Sequence, residues 1–433
     1  MIRPRPGRAP SVTLPLRYMV AAAVAFVAAA LALPWLAGEL AGHYYQPRVV
    51  ALTHTITLGW ITLTIMGAGY QIIPIVLERP IWSEQVGRWQ FLILVPGIVG
   101  MVAHLYIGQR SGMLWAAGMV GIGAGLYLVN VGATLRRLER WPFTARLMVL
   151  AFVGLGLTVG FGIVLGADRV RNFLPGELLP TLHAHFHLAL LGWVMPMVFG
   201  VAARVYPMFL LADEPGGWPG SLQLWGISFG VPALVLGLLS APALIAPGAA
   251  AVAAAAAGHA TWVTRMARSR KRPALDWGLR FVLSGTVFML AAAAMGLGFA
   301  IDVIEGPRWA LAYAVLALGG WVSLTIVGMM LKIVPFLVWY RVYAPLVGRT
   351  PVPTLAQLSS PAAEGLAYAC LTGGTLTLAA AVATGEPAWI RGAGVLLALG
   401  ALAFGGVLCR VLAHLIASAR PQGSPALQGA SVR

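Results

Sequence analysis

Apolar residues dominate this chain in long uninterrupted stretches, and polar positions fall between the stretches rather than alternating within them. Runs of that kind longer than about 18 residues read as membrane spans, because a helix needs roughly 20 residues to cross the hydrocarbon. Twelve such runs are present, from about 15–38 at the start to about 391–417 at the end. Helices are the sensible reading, since lipid cannot satisfy open backbone groups and the runs are too long for barrel strands. The pattern predicts an all-α polytopic membrane protein with twelve transmembrane helices.

Three of the runs carry one shared spacing of glycine, tryptophan and proline. It opens at Gly59-Trp60, Gly192-Trp193 and Gly320-Trp321, continues at Gly67, Gly200 and Gly328, and closes at Pro74, Pro207 and Pro335. The copies start about 130 residues apart, which reads as a triplicated unit. Twelve helices then divide into three pseudo-repeats of four, about 15–134, 145–264 and 278–417, in a single membrane domain over 1–433. The marked helix is the second of each unit. His54 and His187 stand at matching places before the first glycine, and Val315 takes that place in the third copy.

The composition agrees: 433 residues, 59% hydrophobic and only 10% charged, is not that of a water-soluble protein. A net charge of +16 invites a nucleic-acid reading, but the basic residues gather in alternate loops. Arg3, Arg5, Arg8 and Arg17 precede helix 1; Arg136, Arg137, Arg140 and Arg146 follow helix 4. Arg265, Arg268, Arg270, Lys271 and Arg272 follow helix 8, and Arg341 and Arg349 follow helix 10. That is a positive-inside bias, which predicts a cytoplasmic (inner) membrane protein with both termini cytoplasmic and no nucleic-acid partner. The first run is full span length and reads as a retained helix rather than a cleaved signal. The tail from Arg420 reads as disordered. Cys370 and Cys409 fall in helices 11 and 12; no C-x-x-C-H occurs, so covalent haem attachment is excluded, as is any cysteine-based zinc or iron–sulfur site.

The predicted topology gathers six of the eight histidines in one outer layer: His43, His54, His104, His183, His185 and His187. At 100° per residue His183 and His187 share a helix face, whereas His185 is turned about 160° from His187. One helix therefore offers imidazoles to two compartments. Imidazole suits haem iron and copper, and helix bundles build cofactor sites from facing helices. His54 is the natural opposing ligand, giving a bis-imidazole b-type haem between helices 2 and 6 through His54 and either His185 or His187. A second haem or a copper ion at His183 extends the reading. A lone intramembrane histidine is often a packed core residue, which is the plainer reading of His104 as against a metal ligand. His259 and His414 sit near inner ends and read as interfacial. Three histidines in one span are harder to dismiss, because polar groups at membrane depth are costly. The tryptophans read as core or cofactor-edge aromatics, with the glycines allowing close packing. Gln71, Arg204 and Lys332 correspond among the copies and read as snorkelling to the interface. Arg48, Arg169, Arg171 and Arg308 are the candidates for propionate partners, and Asp302 is expected to pair with Arg308.

Twelve spans, threefold repetition and "HAHFHLALLGW" together resemble the catalytic subunit of the heme–copper oxidase superfamily, which includes oxygen and nitric oxide reductases. His54 in "LTHTITLGWITLTIMGAGYQIIP" looks like that family's helix-2 haem ligand, and His185–His187 is similar to its His-x-His. In the family the His-x-His lies on helix 10, but here helix 10 has no histidine, and neither has helix 7, where the family places a histidine pair for its second metal. No mid-span glutamate of the nitric oxide reductase kind is present, and Tyr206 lies far from the histidines along helix 6. The resemblance is thus to a divergent, stand-alone member, NnrS-like in its missing ligands. It implies electron transfer or oxygen/nitric oxide handling, with a cytochrome or quinone electron donor, membrane lipid around it and a diatomic gas as ligand. The alternatives are a terminal oxygen or nitric oxide reductase with a rearranged metal centre, and a transporter or metal/haem-handling permease, whose sites usually sit at broken helices near the midplane.

Overall fold

The computed structural model describes residues 12–419 except 176, 215, 272 and 273, and leaves aside the side chains of 418 and 419. Arg3, Arg5, Arg8, Arg272 and the tail from Arg420 lie outside the described residues. Among those described, every regular element is helical. The helices α1 (Thr13–Ala32), α2 (Pro47–Val76), α3 (Glu84–Ile107) and α4 (Arg110–Leu135) come first. Next are α5 (Phe143–Arg171), α6 (Leu178–Leu210), α7 (Trp218–Leu239) and α8 (Pro242–Arg268). The last are α9 (Trp277–Ala300), α10 (Pro307–Val342), α11 (Pro361–Thr384) and α12 (Pro387–Ala417). All twelve are long and apolar enough to cross a membrane.

Two helix ends show their physical cause. α1 stops at Ala32, before Pro34, which has no N–H to continue the ladder, and the chain turns into a short helix, Ala37–Leu40. α5 runs on to Arg171, where Asn172 adopts a left-handed φ of 50°. Asp168 Oδ1 then accepts from the N–H groups of Phe173 and Leu174, both at 2.7 Å, so that Arg169 stays on the helix.

The helices with the glycine–tryptophan spacing occupy the centre. The most apolar windows of α2, α6 and α10 are 61%, 72% and 72% buried, against 28–56% for the other nine. One continuous apolar core draws residues from all twelve helices. The centre also departs from α geometry at matching places. π-helical segments span Thr55–Thr62 in α2, Leu188–Val194 in α6 and Val315–Ser323 in α10, each enclosing its glycine–tryptophan pair. A π turn carries an extra residue and shifts the side-chain register, which is why such turns recur at functional sites. Here they aim the indoles across the centre: Trp60 Nε1 donates to Ser323 Oγ at 3.1 Å and Trp193 Nε1 to Thr62 Oγ1 at 3.3 Å. Glycine permits the approach, since a Cβ on Gly154 of α5 would lie 2.0 Å from the Gly192 carbonyl oxygen of α6.

The charges near the other end of these helices do not snorkel free. Lys332 pairs with Asp276, which caps α9, and Arg204 pairs with Glu214. Gln71 is buried, and its Oε1 has no hydrogen-bond partner. No Asp302–Arg308 pair is recorded among the described residues; Arg308 instead donates to the Thr384 carbonyl at 3.1 Å.

Candidate functional site

A cleft opens between α2 and α6, walled by α3, α4 and α5, with about 1210 Å³ of atom-free space including its mouth. Its lining is apolar apart from a few groups, chief among them His54, His185, Thr57, Thr158 and Arg169. His54 is the last residue before the π segment of α2, and His185 lies just before that of α6. Neither imidazole is fully buried, and both border the cleft.

The two rings are held differently. His54 Nδ1 lies 2.8 Å from the Val50 carbonyl, so this nitrogen carries the proton and Nε2 is left as the basic one. His185 Nδ1 is buried with no hydrogen-bond partner. Its ring rests instead on α5, edge-on to Phe161 with centroids 6.0 Å apart, over Gly162, whose absent Cβ would lie 3.0 Å from His185 Cε1.

Arg169 borders the cleft at the end of α5, with its guanidinium 5.5 Å from the centre of the Tyr45 ring and its carbonyl accepting from Arg110 at 3.2 Å. Of the four arginines considered from sequence it alone lines the cleft. Arg48 pairs with Glu39 at 2.7 Å and holds that carboxyl below the usual carboxylate range. Arg171 is exposed, and Arg308 lies by α11.

The other histidines go elsewhere. His187 faces α10: its Nδ1 bonds the His183 carbonyl at 2.8 Å, and its Nε2 lies 3.4 Å from the Tyr313 hydroxyl, with the rings stacked. His183 Nε2 bonds the Tyr44 hydroxyl at 2.7 Å, and burial raises that phenol above its ordinary pKa. The helical geometry thus sends His185 and His187 to separate compartments, and it is His185 that shares the cleft with His54. His104 does not line the cleft; its ring lies against Gly112, where a Cβ would be 1.6 Å from Cδ2. His259 is not interfacial but 3% exposed, stacked on Phe199 at 3.9 Å. His414 bonds the Tyr343 hydroxyl. Among the described residues no three or more His, Cys, Asp or Glu gather as a metal group.

Sequence reasoning passed over Tyr44, Tyr313 and Gly162. Tyr313 lay two residues before the valine that replaces the conserved-spacing histidine of the third copy, a place already marked by the repeat. The chain matches no family model and no curated protein.

Proposed function

We propose that this chain is a membrane haem protein that holds one b-type haem between α2 and α6 through His54 and His185 and works in electron transfer. The observation that carries the reading is a single apolar cleft bordered by two incompletely buried imidazoles on facing helices, with a cation among its lining residues. The donor set fits the group. Two neutral imidazoles suit haem iron, the unpartnered Nδ1 of His185 leaves that ring free to orient toward a metal, and Arg169 suits a propionate. Bound haem would supply a one-electron couple. The protein's part is to present His54 Nε2 in a fixed tautomer, to keep water from the site with apolar walls, and to neutralise carboxylates with Arg169.

Two imidazole ligands favour electron transfer over catalysis at an open metal position, with a cytochrome or quinone as electron donor. The resemblance to the heme–copper oxidase superfamily supports the same reading, as does the matched π geometry of α2, α6 and α10, which fits a triplicated unit. The distribution of basic loops supports a cytoplasmic-membrane location with the histidine end outward.

The test is an absorption spectrum and haem assay of the purified protein beside His54→Ala, His185→Ala and His187→Ala. A b-type reduced spectrum is expected that His54→Ala diminishes, that His185→Ala alters without loss of the haem, and that His187→Ala leaves in place. A protein purified from haem-replete cells without a Soret band would refute the proposal and favour the permease reading. Sustained oxygen or nitric oxide consumption by the reconstituted protein would favour the reductase reading.

A further inference from the structure

We infer that the two cleft imidazoles are unequal, His54 being the anchored haem ligand and His185 the exchangeable one, so that a small neutral diatomic ligand enters beside His185 on the α5 side. This inference rests on the haem reading above and adds a ligand class to it.

The asymmetry lies in what each ring would lose by moving. His54 cannot rotate without breaking its 2.8 Å bond to the Val50 carbonyl, which also makes its Nε2 a stronger donor to a metal. Second hydrogen bonds of that kind are typically worth 10–100-fold in metal affinity. His185 makes no such bond from Nδ1, so its departure from a metal breaks none there. The ring is held on the α5 side by packing rather than by a hydrogen bond. Gly162 presents no side chain to the ring, Thr158 turns its hydroxyl away to the Gly154 carbonyl at 2.7 Å, and both residues border the cleft. The cleft is largely apolar, with Val159, Ile163 and Leu182 among its lining residues, which suits an uncharged diatomic and disfavours an anion. The exchange is a substitution at one coordination position: the incoming molecule's electron pair replaces that of the His185 nitrogen, and no electron or proton is transferred.

Carbon monoxide is the probe, added to the dithionite-reduced, haem-loaded full-length protein. The wild type is expected to bind it by losing His185. His185→Ala should keep its haem and bind carbon monoxide at least tenfold faster, because no imidazole has to leave. The carbon monoxide complexes of wild type and His185→Ala should then have the same vibrational spectrum, since His54 is the opposite ligand in both. Loss of a ligand's second hydrogen bond alone costs about 10–100-fold in metal affinity, and His54→Ala, which removes the ligand itself, should weaken haem retention by at least that much. Different vibrational spectra overturn the inference, as does a haem-loaded wild type that takes up no carbon monoxide; both leave the haem reading standing. A wild type without haem defeats that reading and this inference together. The comparison of wild type with His185→Ala decides the matter even where His54→Ala does not fold.

Discussion

Trp193 on α6 donates its indole N–H to Thr62 Oγ1 on α2 over 3.3 Å, and both residues are buried. Trp60 on α2 makes the corresponding bond to Ser323 on α10. Thr62 and Ser323 follow their Gly-Trp pair at the same offset, and in the second copy that place belongs to Met195. The three central helices are therefore laced in a ring open at one link, between α10 and α6. Thr62→Val strands the Trp193 N–H in a region without water, which should cost about 1–3 kcal/mol. Thermal unfolding in detergent, with Trp193→Phe and the double variant completing a cycle, reads the coupling; a cycle that closes at zero would mean that the bond contributes nothing.

Gly154 should be the least tolerant small residue in the bundle. Its missing Cβ would fall 2.0 Å from the Gly192 carbonyl and 2.9 Å from the Trp193 backbone nitrogen, where backbone rather than a flexible side chain stands in the way. Gly154→Ala has to push α5 off the π segment of α6, at a cost of about 1–3 kcal/mol or more. Gly160, on the same helix with nothing near its missing Cβ, is the control. Equal melting temperatures for Gly154→Ala and Gly160→Ala would show that the helices are not in close contact.

Which parts of this were legible follows from the kind of signal each left. Unbroken apolar runs gave all twelve spans, because the length needed to cross a bilayer is set by the bilayer and not by the neighbours. The shared glycine–tryptophan spacing picked out the three helices that became the centre, and angular arithmetic separated His185 from His187. The arithmetic could not say which of them meets His54, since helix rotation depends on packing partners; that needed the contacts of His187 with Tyr313 and of His185 with Gly162. The π segments were not read from the sequence, and the contacts that accompany them, the indole bonds between helices and the Gly154–Gly192 approach, are long-range. His259 was misread from depth alone, its Phe199 and Gln223 partners lying far off in sequence.

Glu39 and Arg48 pin the short helix before α2 to the start of that span, at 2.7 Å. The pairing lowers the Glu39 pKa from its ordinary 4.5, so its stabilising contribution is complete above that value and is lost as pH falls through the lowered one. Arg48 is half exposed, so the pair contributes little and is screened by salt. Glu39→Gln should accordingly lower the unfolding midpoint slightly at pH 7 in low salt, with the difference vanishing in acid and at high ionic strength. A difference that grows on acidification would contradict the pairing.

Arg169 offers a test of the cleft that depends on charge rather than on ligation. A guanidinium beside the cleft favours whichever state of a bound redox group is less positive, which for haem iron is the reduced one. Arg169→Gln should therefore lower the midpoint potential, by some tens of millivolts for a charge about 10 Å away at an effective dielectric constant near 20. Arg169→Lys keeps the charge and should preserve most of the potential, though not the planar contact with Tyr45. Arg171→Gln, two residues on and exposed, removes the same formal charge from outside the cleft and should move the potential little, because water and salt screen it. Potentiometric titration of the three variants separates a local cation from a general effect of net charge. If Arg171→Gln shifts the midpoint as far as Arg169→Gln does, Arg169 has no special place beside the cleft.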